Sequence, residues 1–417
     1  MVVAWRMPAL DVMRLRRDFP ILERRVNDAP LIYLDSAAST QKPLPVLDAL
    51  QRVYREHYAN VHRGAYTLSA EATDMYEAAR RRVASFLNAP SDRSVVFVRN
   101  ATEAINLVAH AWGRHALEPG DEIVVTVAEH HANLVPWHLL AAERGVVVRG
   151  VPLGPDARVD MQALADAIGP RTRLVATFHV SNVLGVMNDL PRIARLAHDA
   201  GALLLVDGAQ AAAHLSVDVQ ALGADMYAFS GHKVGGPTGI GVLWVREELL
   251  ASWPPFLGGG EMIRKVRVDS STYADIPMRF EAGTPAIAEA IALHAALDYL
   301  DDVGLDAIWE HDRALGRHAI ERLRAIDGVT LYGPEGDDRG GIVPFNVDGV
   351  HPHDVSSALD AKGIAVRAGH HCAQPLMAAL GIQSSARASF WLHTTEDEID
   401  QFADALQSVR DFFAVGA

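Results

Sequence analysis

Two apolar runs in this chain end in reactive groups. Leu203-Leu204-Leu205-Val206 stops at Asp207 and Gly208, and the run from Asp225 to Phe229 passes into Ser230-Gly231-His232-Lys233. Runs of this kind read as buried strands, and in open α/β sheets ligands bind at the carboxyl ends of the strands. Taken singly, Asp207 reads as a cap or turn residue and Lys233 as a solvated amine. As a pair on neighbouring strand ends they suit pyridoxal 5'-phosphate: the lysine forms a Schiff base and the carboxylate pairs with the pyridinium nitrogen, keeping the ring able to accept electrons. Gln210 lies close behind Asp207. Gly235, Gly236, Gly239 and Gly241 let the backbone turn tightly beyond Lys233.

A phosphate needs a helix N-terminus or a nest of amides. Asn100-Ala101-Thr102 offers one after an apolar run, with Thr102 as cap and hydroxyl donor. Thr284-Pro285 reads as a second helix start, threonine capping and proline in the first helical position. Neither a G-x-x-x-x-G-K-[ST] loop nor a G-x-G-x-x-G fingerprint is present. The single cysteine, Cys372, excludes an intramolecular disulfide and a multi-cysteine zinc site. Glu129-His130-His131 and Gly369-His370-His371-Cys372 raise a metal reading, but adjacent residues of an extended chain point apart, so each pair supplies one easy ligand. An imidazole stacked on a flat cofactor ring is the better use. Charged imidazoles beside Cys372 would favour the thiolate, the nucleophilic form.

These residues need elements to hold them. The chain has 417 residues, 49% of them hydrophobic, enough for two domains around large cores. With 38 basic and 52 acidic residues the formal charge is −14, and no basic run appears, which argues against nucleic acid and anionic membrane as partners. The first residues lack an apolar stretch of signal-peptide length, and no run could span a bilayer, so a cytoplasmic protein is expected. Apolar runs at Val95–Val98, Ile123–Val127, Val146–Val148, Leu174–Phe178, Leu203–Val206, Met226–Phe229 and Ile240–Val245 alternate with helical stretches such as Thr102–His115. That alternation predicts an α/β fold with a largely parallel sheet. The rhythm changes after Val245, and the division expected is an N-terminal segment 1–30, a large domain 31–300 and a small C-terminal domain 301–417, on which the N-terminal segment packs.

Nearly the whole chain resembles a SUF-type cysteine desulfurase of the class V aminotransferase family. The likeness rests on YLDSAAS, NVHRGAYTLS, TEAINLVA, EHHANLVPW, HVSNVLG, VDGAQA, FSGHKVGGPTGIG, RFEAGTP, RAGHHCAQPLM and RAS. The resemblance implies a fold-type I pyridoxal-phosphate enzyme: a large domain with a seven-stranded, mostly parallel sheet and a smaller α+β C-terminal domain. It implies that Lys233 carries pyridoxal 5'-phosphate, Asp207 pairs with the ring nitrogen, Gln210 with the phenolic oxygen, and His130 stacks on the ring. Ala101, Thr102, Ser230 and His232 would hold the phosphate, and Thr284 the phosphate of the partner subunit's site in a homodimer. Arg387, assisted by Asn182, would clamp the carboxylate of L-cysteine. Cys372 would take the sulfur as a persulfide, leaving alanine, for transfer to a SufU-like or SufE-like acceptor in iron–sulfur cluster assembly. His353, in His351-Pro352-His353-Asp354, matches a histidine that moves onto the zinc of some acceptors. Selenocysteine lyase is the alternative activity. One departure is visible: after Arg387 the chain reads SFWLHTT, where relatives often carry Tyr-Asn before the threonine.

Overall fold

The computed structural model describes residues 10–334 and 339–415. All seven apolar runs form strands: β1 Val95–Val98, β2 Glu122–Thr126, β3 Val147–Val151, β4 Thr172–Phe178, β5 Leu203–Asp207, β6 Met226–Ser230 and β7 Gly241–Val245. They make one sheet in the order β1-β7-β6-β5-β4-β2-β3. Every pair is parallel except those of β7, which runs against both neighbours. The reason is length. Only residues 231–240 separate β6 from β7, too few for the crossover that a parallel partner needs.

Leu204, Leu205 and Val206 of β5 and Met226–Phe229 of β6 have no exposed surface. Full burial of each large apolar side chain among them contributes about 1.5–3 kcal/mol, so the two strands that carry Asp207 and Ser230 are firmly held in the sheet. Helices α1 (Leu44–Arg52), α2 (Thr67–Phe86) and α4 (Ile287–Val303) pack together beside it, and α3 (Ala101–Leu107) follows β1.

A second sheet joins β8 (Val329–Leu331), β9 (Ile342–Val347), β10 (Arg367–Gly369) and β11 (Ser385–Ser389) in the antiparallel order β8-β9-β11-β10. Leu315, Ala319 and Leu323 of α5 (Leu305–Arg324) and Phe402 and Leu406 of α6 (Glu396–Val415) close a separate core against Phe345. The start of the chain is bound to this layer. Arg16 donates to the His393 carbonyl at 2.6 Å and to Glu398 at 2.8 Å, Phe19 meets the edges of Trp391 and His393, and Ile32–Tyr33 pairs in parallel with Ile364–Ala365. Residues 1–9 of the expected N-terminal segment lie outside the described residues.

A buried ion pair fixes the turn before α4. Arg80 on α2 is 2% exposed and binds Glu281 at 2.6 and 2.9 Å, while the Tyr76 hydroxyl and the Phe97 amide also donate to Glu281. Removing Glu281 leaves Arg80 with Glu77, 2.9 Å away, as its remaining carboxylate and the Tyr76 and Phe97 donors unpaired, a loss of about 3 kcal/mol, the low end for a broken buried pair. We expect Glu281→Ala to lower unfolding free energy by that order in urea titration, and Arg80→Met combined with Glu281→Leu to lose less.

Candidate active site

Asp207 is the last residue of β5 and is 6% exposed. Its Oδ1 accepts the Ala209 amide at 3.0 Å. Burial raises its carboxyl pKa, opposed by the Ala209 bond and by Lys233. Gly208 is required here, because a Cβ would lie 2.1 Å from the Tyr227 ring. Next in the sheet, β6 ends at Ser230 and a single tight turn, Gly231–Lys233, delivers the amine. That turn is closed by the Gly231 amide donating to Ile240 and the Gly236 amide donating to Gly231, at 2.9 Å each. Burial pulls the Lys233 amine down to about 8, with Asp207 resisting.

His130 follows β2. Its Nδ1 accepts the Ala132 amide at 3.0 Å, and burial first, then Lys233, bring its pKa down to about 3. The ring is therefore neutral. The turn that carries it is anchored by Glu129, which is fully buried and accepts from Thr126 Oγ1 at 2.7 Å and Asn133 Nδ2 at 2.8 Å.

At the opposite end of the site, α3 begins at Ala101. Its cap is Asn100, whose Oδ1 accepts the Glu103 amide at 2.9 Å, rather than Thr102. Thr102 sits one turn-position further in, exposed, with its hydroxyl free of the capping duty the sequence assigned to it. The Ala101 amide donates to Ser230 Oγ at 2.9 Å, and Gly241 permits this approach, since a Cβ would fall 2.5 Å from Asn100.

Cys372 is exposed and lies in a turn where both His371 (φ 52°) and Cys372 (φ 56°) occupy the left-handed region. That backbone is strained for residues with a Cβ, and four bonds hold it. Asn182 Nδ2 donates to the His371 carbonyl at 2.7 Å, the His131 amide donates to the Cys372 carbonyl at 2.7 Å, and the Gln374 amide donates to His131 Nε2 at 3.1 Å. His371 Nε2 is 3.0 Å from the Ser385 carbonyl; a carbonyl only accepts, so Nε2 carries the proton. Burial takes the His371 pKa down to about 3. His371 is thus uncharged and lends no positive charge to the thiol, and the cations facing Cys372 are Lys233 and Arg387.

Ala101, Thr102, His130, Asn182, Asp207, Gln210, Ser230, His232, Lys233, Arg387 and Cys372 all line one cavity of about 230 Å3. Two expected residues do not. Thr284 borders a separate hollow with Arg99, Gly239 and Leu257, and α4 starts at Ile287 after the cap Ala286, so Thr284-Pro285 precedes the helix instead of opening it. His353 is exposed on the helix Pro352–Asp360, which His351 caps through Nδ1. Sequence reasoning missed Asp35, Ala37, Ala38 and Arg367. Ala37 accepts one N–H of Gln210 at 2.8 Å, Ala37, Ala38 and Arg367 line the cavity, and Asp35 binds Arg387 at 3.0 Å. The motif YLDSAAS held the signal for three of them. The SFWLHTT departure does not line the cavity: Trp391 donates to the Ala213 carbonyl and packs behind Gly235, and His393 is buried against Phe19. Among the described residues no group of three or more His, Cys, Asp or Glu could hold a metal ion.

The Lys233 amine titrates lower in the folded chain than in the unfolded one, so between about pH 8 and 10.5 the unfolded state binds more protons and stability rises with pH. In the ligand-free protein the wild type should gain stability as pH climbs through that window, and Lys233→Met, which has no amine to titrate there, should lose that rise. Urea titrations at several pH values measure it.

The aminotransferase class-V family model matches residues 32–402. The chain is 52% identical over 398 residues to a cysteine desulfurase of Dickeya dadantii, covering 95% of this chain and 96% of that one. Its structure is similar to that of the cysteine desulfurase CsdA from Escherichia coli (TM-score 0.90, 42% identity, 97% and 100% covered). It is also similar to the apo cysteine desulfurase from Thermococcus onnurineus NA1 (TM-score 0.92, 39% identity, 97% and 99% covered). Matched over most of its length in sequence and in fold, the chain belongs to the aminotransferase class-V family.

Proposed function

We propose that the protein is a pyridoxal 5'-phosphate-dependent cysteine desulfurase that converts L-cysteine to L-alanine and keeps the sulfur as a persulfide on Cys372. The observation that carries this reading is that Asp207, Lys233 and the chain's one thiol border the same cavity. The residues fit the cofactor. A buried carboxylate suits a protonated ring nitrogen, an amine near 8 suits Schiff-base chemistry, and a neutral His130 offers a flat face to a ring. Gln210 has a second N–H for a phenolic oxygen, since only one is engaged by Ala37. Ala101, Thr102, Ser230 and His232 gather at the end suited to a phosphate.

Bound there, the cofactor supplies an electron sink for the charge left when the substrate loses its α-proton. Lys233, with its amine near 8, is the base that takes this proton close to neutral pH. Arg387 holds the substrate carboxylate: its buried Nε has no partner among the described residues, while its other nitrogens are fixed by Asn182 and Asp35. Asn182 thereby serves both the clamp, through its carbonyl, and the Cys372 turn, through its amide nitrogen. His130, neutral and with its proton on Nε2, can donate a hydrogen bond beside Lys233. The Cys372 thiolate then attacks the substrate sulfur; the S–S bond forms as the C–S bond breaks, and the carbon skeleton leaves as alanine.

In this reading the enzyme works as a homodimer in the cytoplasm, with Thr284 serving the partner subunit's phosphate, which accounts for its place outside its own chain's cavity. The division at residues 31–300 and 301–417 places the Asp207–Lys233 pair and Cys372 on different units. A sulfur-acceptor protein collects the exposed persulfide for iron–sulfur cluster assembly, and His353 stands exposed for contact with it. No described helix is long and apolar enough to cross a membrane.

The test is alanine release from L-cysteine in the presence of a thiol reductant. Wild type should form alanine and Cys372→Ala should form none. Equal release from both would overturn the assignment of the nucleophile. Arg387→Lys, which keeps the charge but loses the fork, should raise KM for L-cysteine about ten-fold or more with a smaller change in kcat.

A further inference from the structure

Arg367 and Arg387 are direct cross-strand partners in β10 and β11. Like charges placed opposite one another in a sheet repel, and both of these border the cavity. One residue reconciles them. Asp35 reaches the same sheet through its bridge to Ser389, places Oδ1 3.0 Å from Arg387 Nη2 and directs Oδ2 toward Arg367 Nη1 at 3.5 Å. It stands behind the two guanidiniums and is absent from the cavity wall. Arg387 is 2% exposed, Asp35 19% and Arg367 46%, so the inner pair is shielded and the outer cation faces solvent. Two positive charges and one negative leave this end of the site with a net charge of +1, the complement of a single α-carboxylate.

We propose that Asp35 sets the anion selectivity of the site, admitting amino acids with one carboxylate and an uncharged side chain and disfavouring those that bring a second anion. The inference rests on Arg387 as the carboxylate clamp. Without Asp35 the net charge becomes +2, and attraction in a partly desolvated site grows more for a dianion than for a monoanion. A residue that merely oriented Arg387 would weaken both ligands alike.

The experiment is calorimetric binding of L-alanine and L-aspartate to the holoenzyme, with melting temperature as a control of folding. Asp35→Asn should move the affinity ratio toward L-aspartate by about ten-fold, Arg367→Gln should move it the opposite way, and the double variant, which restores +1, should return it to within about two-fold of wild type. An unchanged ratio in Asp35→Asn, with both affinities falling together, overturns the proposal. Should that variant fail to fold, an unchanged ratio in Arg367→Gln overturns it equally. Arg387→Gln separates the two levels: survival of L-alanine binding there refutes the clamp itself, whereas its loss together with a fixed ratio in the other variants refutes only the role of Asp35.

Discussion

An amine and a carboxylate held out of water at the ends of adjacent strands govern the rest of this structure. Burial alone would discharge both groups: it raises the carboxyl pKa of Asp207 and lowers the amine of Lys233 to about 8. Each is partly restored by the other, and Asp207 also by the Ala209 amide. Such a pair persists only where the backbone leaves it no alternative. The fully buried runs of β5 and β6 provide that rigidity, and the short return into β7 forces the Lys233 turn back over the sheet edge. The molecule spends packing energy from its core on keeping two charges poised.

The thiol is governed by a different constraint. Cys372 sits in strained left-handed backbone, tied at His371 by Asn182 and at its own carbonyl by His131. A loop held at both ends presents its side chain in one place at little further entropic cost on reaction. His371 and His130 are neutral, so the cations acting on the thiol are Lys233 and Arg387. Nucleophile, base and clamp therefore form one electrostatic unit, with Asn182 mechanically joining the clamp to the loop.

Six strands of the main sheet were legible because strands buried on both faces read as unbroken apolar runs, whereas the edge strand β3 is mostly exposed and offered only the short run Val146–Val148; each run expected between Val95 and Val245 became a strand. Lys233 and Asp207 were legible for the same reason, since they terminate those runs. Helix starts were less so. Asn100 and Thr102 are both good capping types, and the choice went to Asn100 through its contact with Glu103; Thr284-Pro285 fits a helix start, yet the turn held by Glu281 delays α4 to Ile287. Asp35 was hidden because its partners Arg367 and Arg387 lie more than three hundred residues away in the chain, and an Asp before small residues reads as a turn. Contacts of that range depend on an early segment joining a sheet formed by the end of the chain, which local pattern does not encode.

The central claim is that the sulfur passes to Cys372 through attack by its thiolate. Mass spectrometry of the holoenzyme, alkylated during turnover of L-cysteine and digested, addresses it directly. The account predicts one additional sulfur on the peptide that contains Cys372. Alanine formation with that peptide unchanged would contradict it.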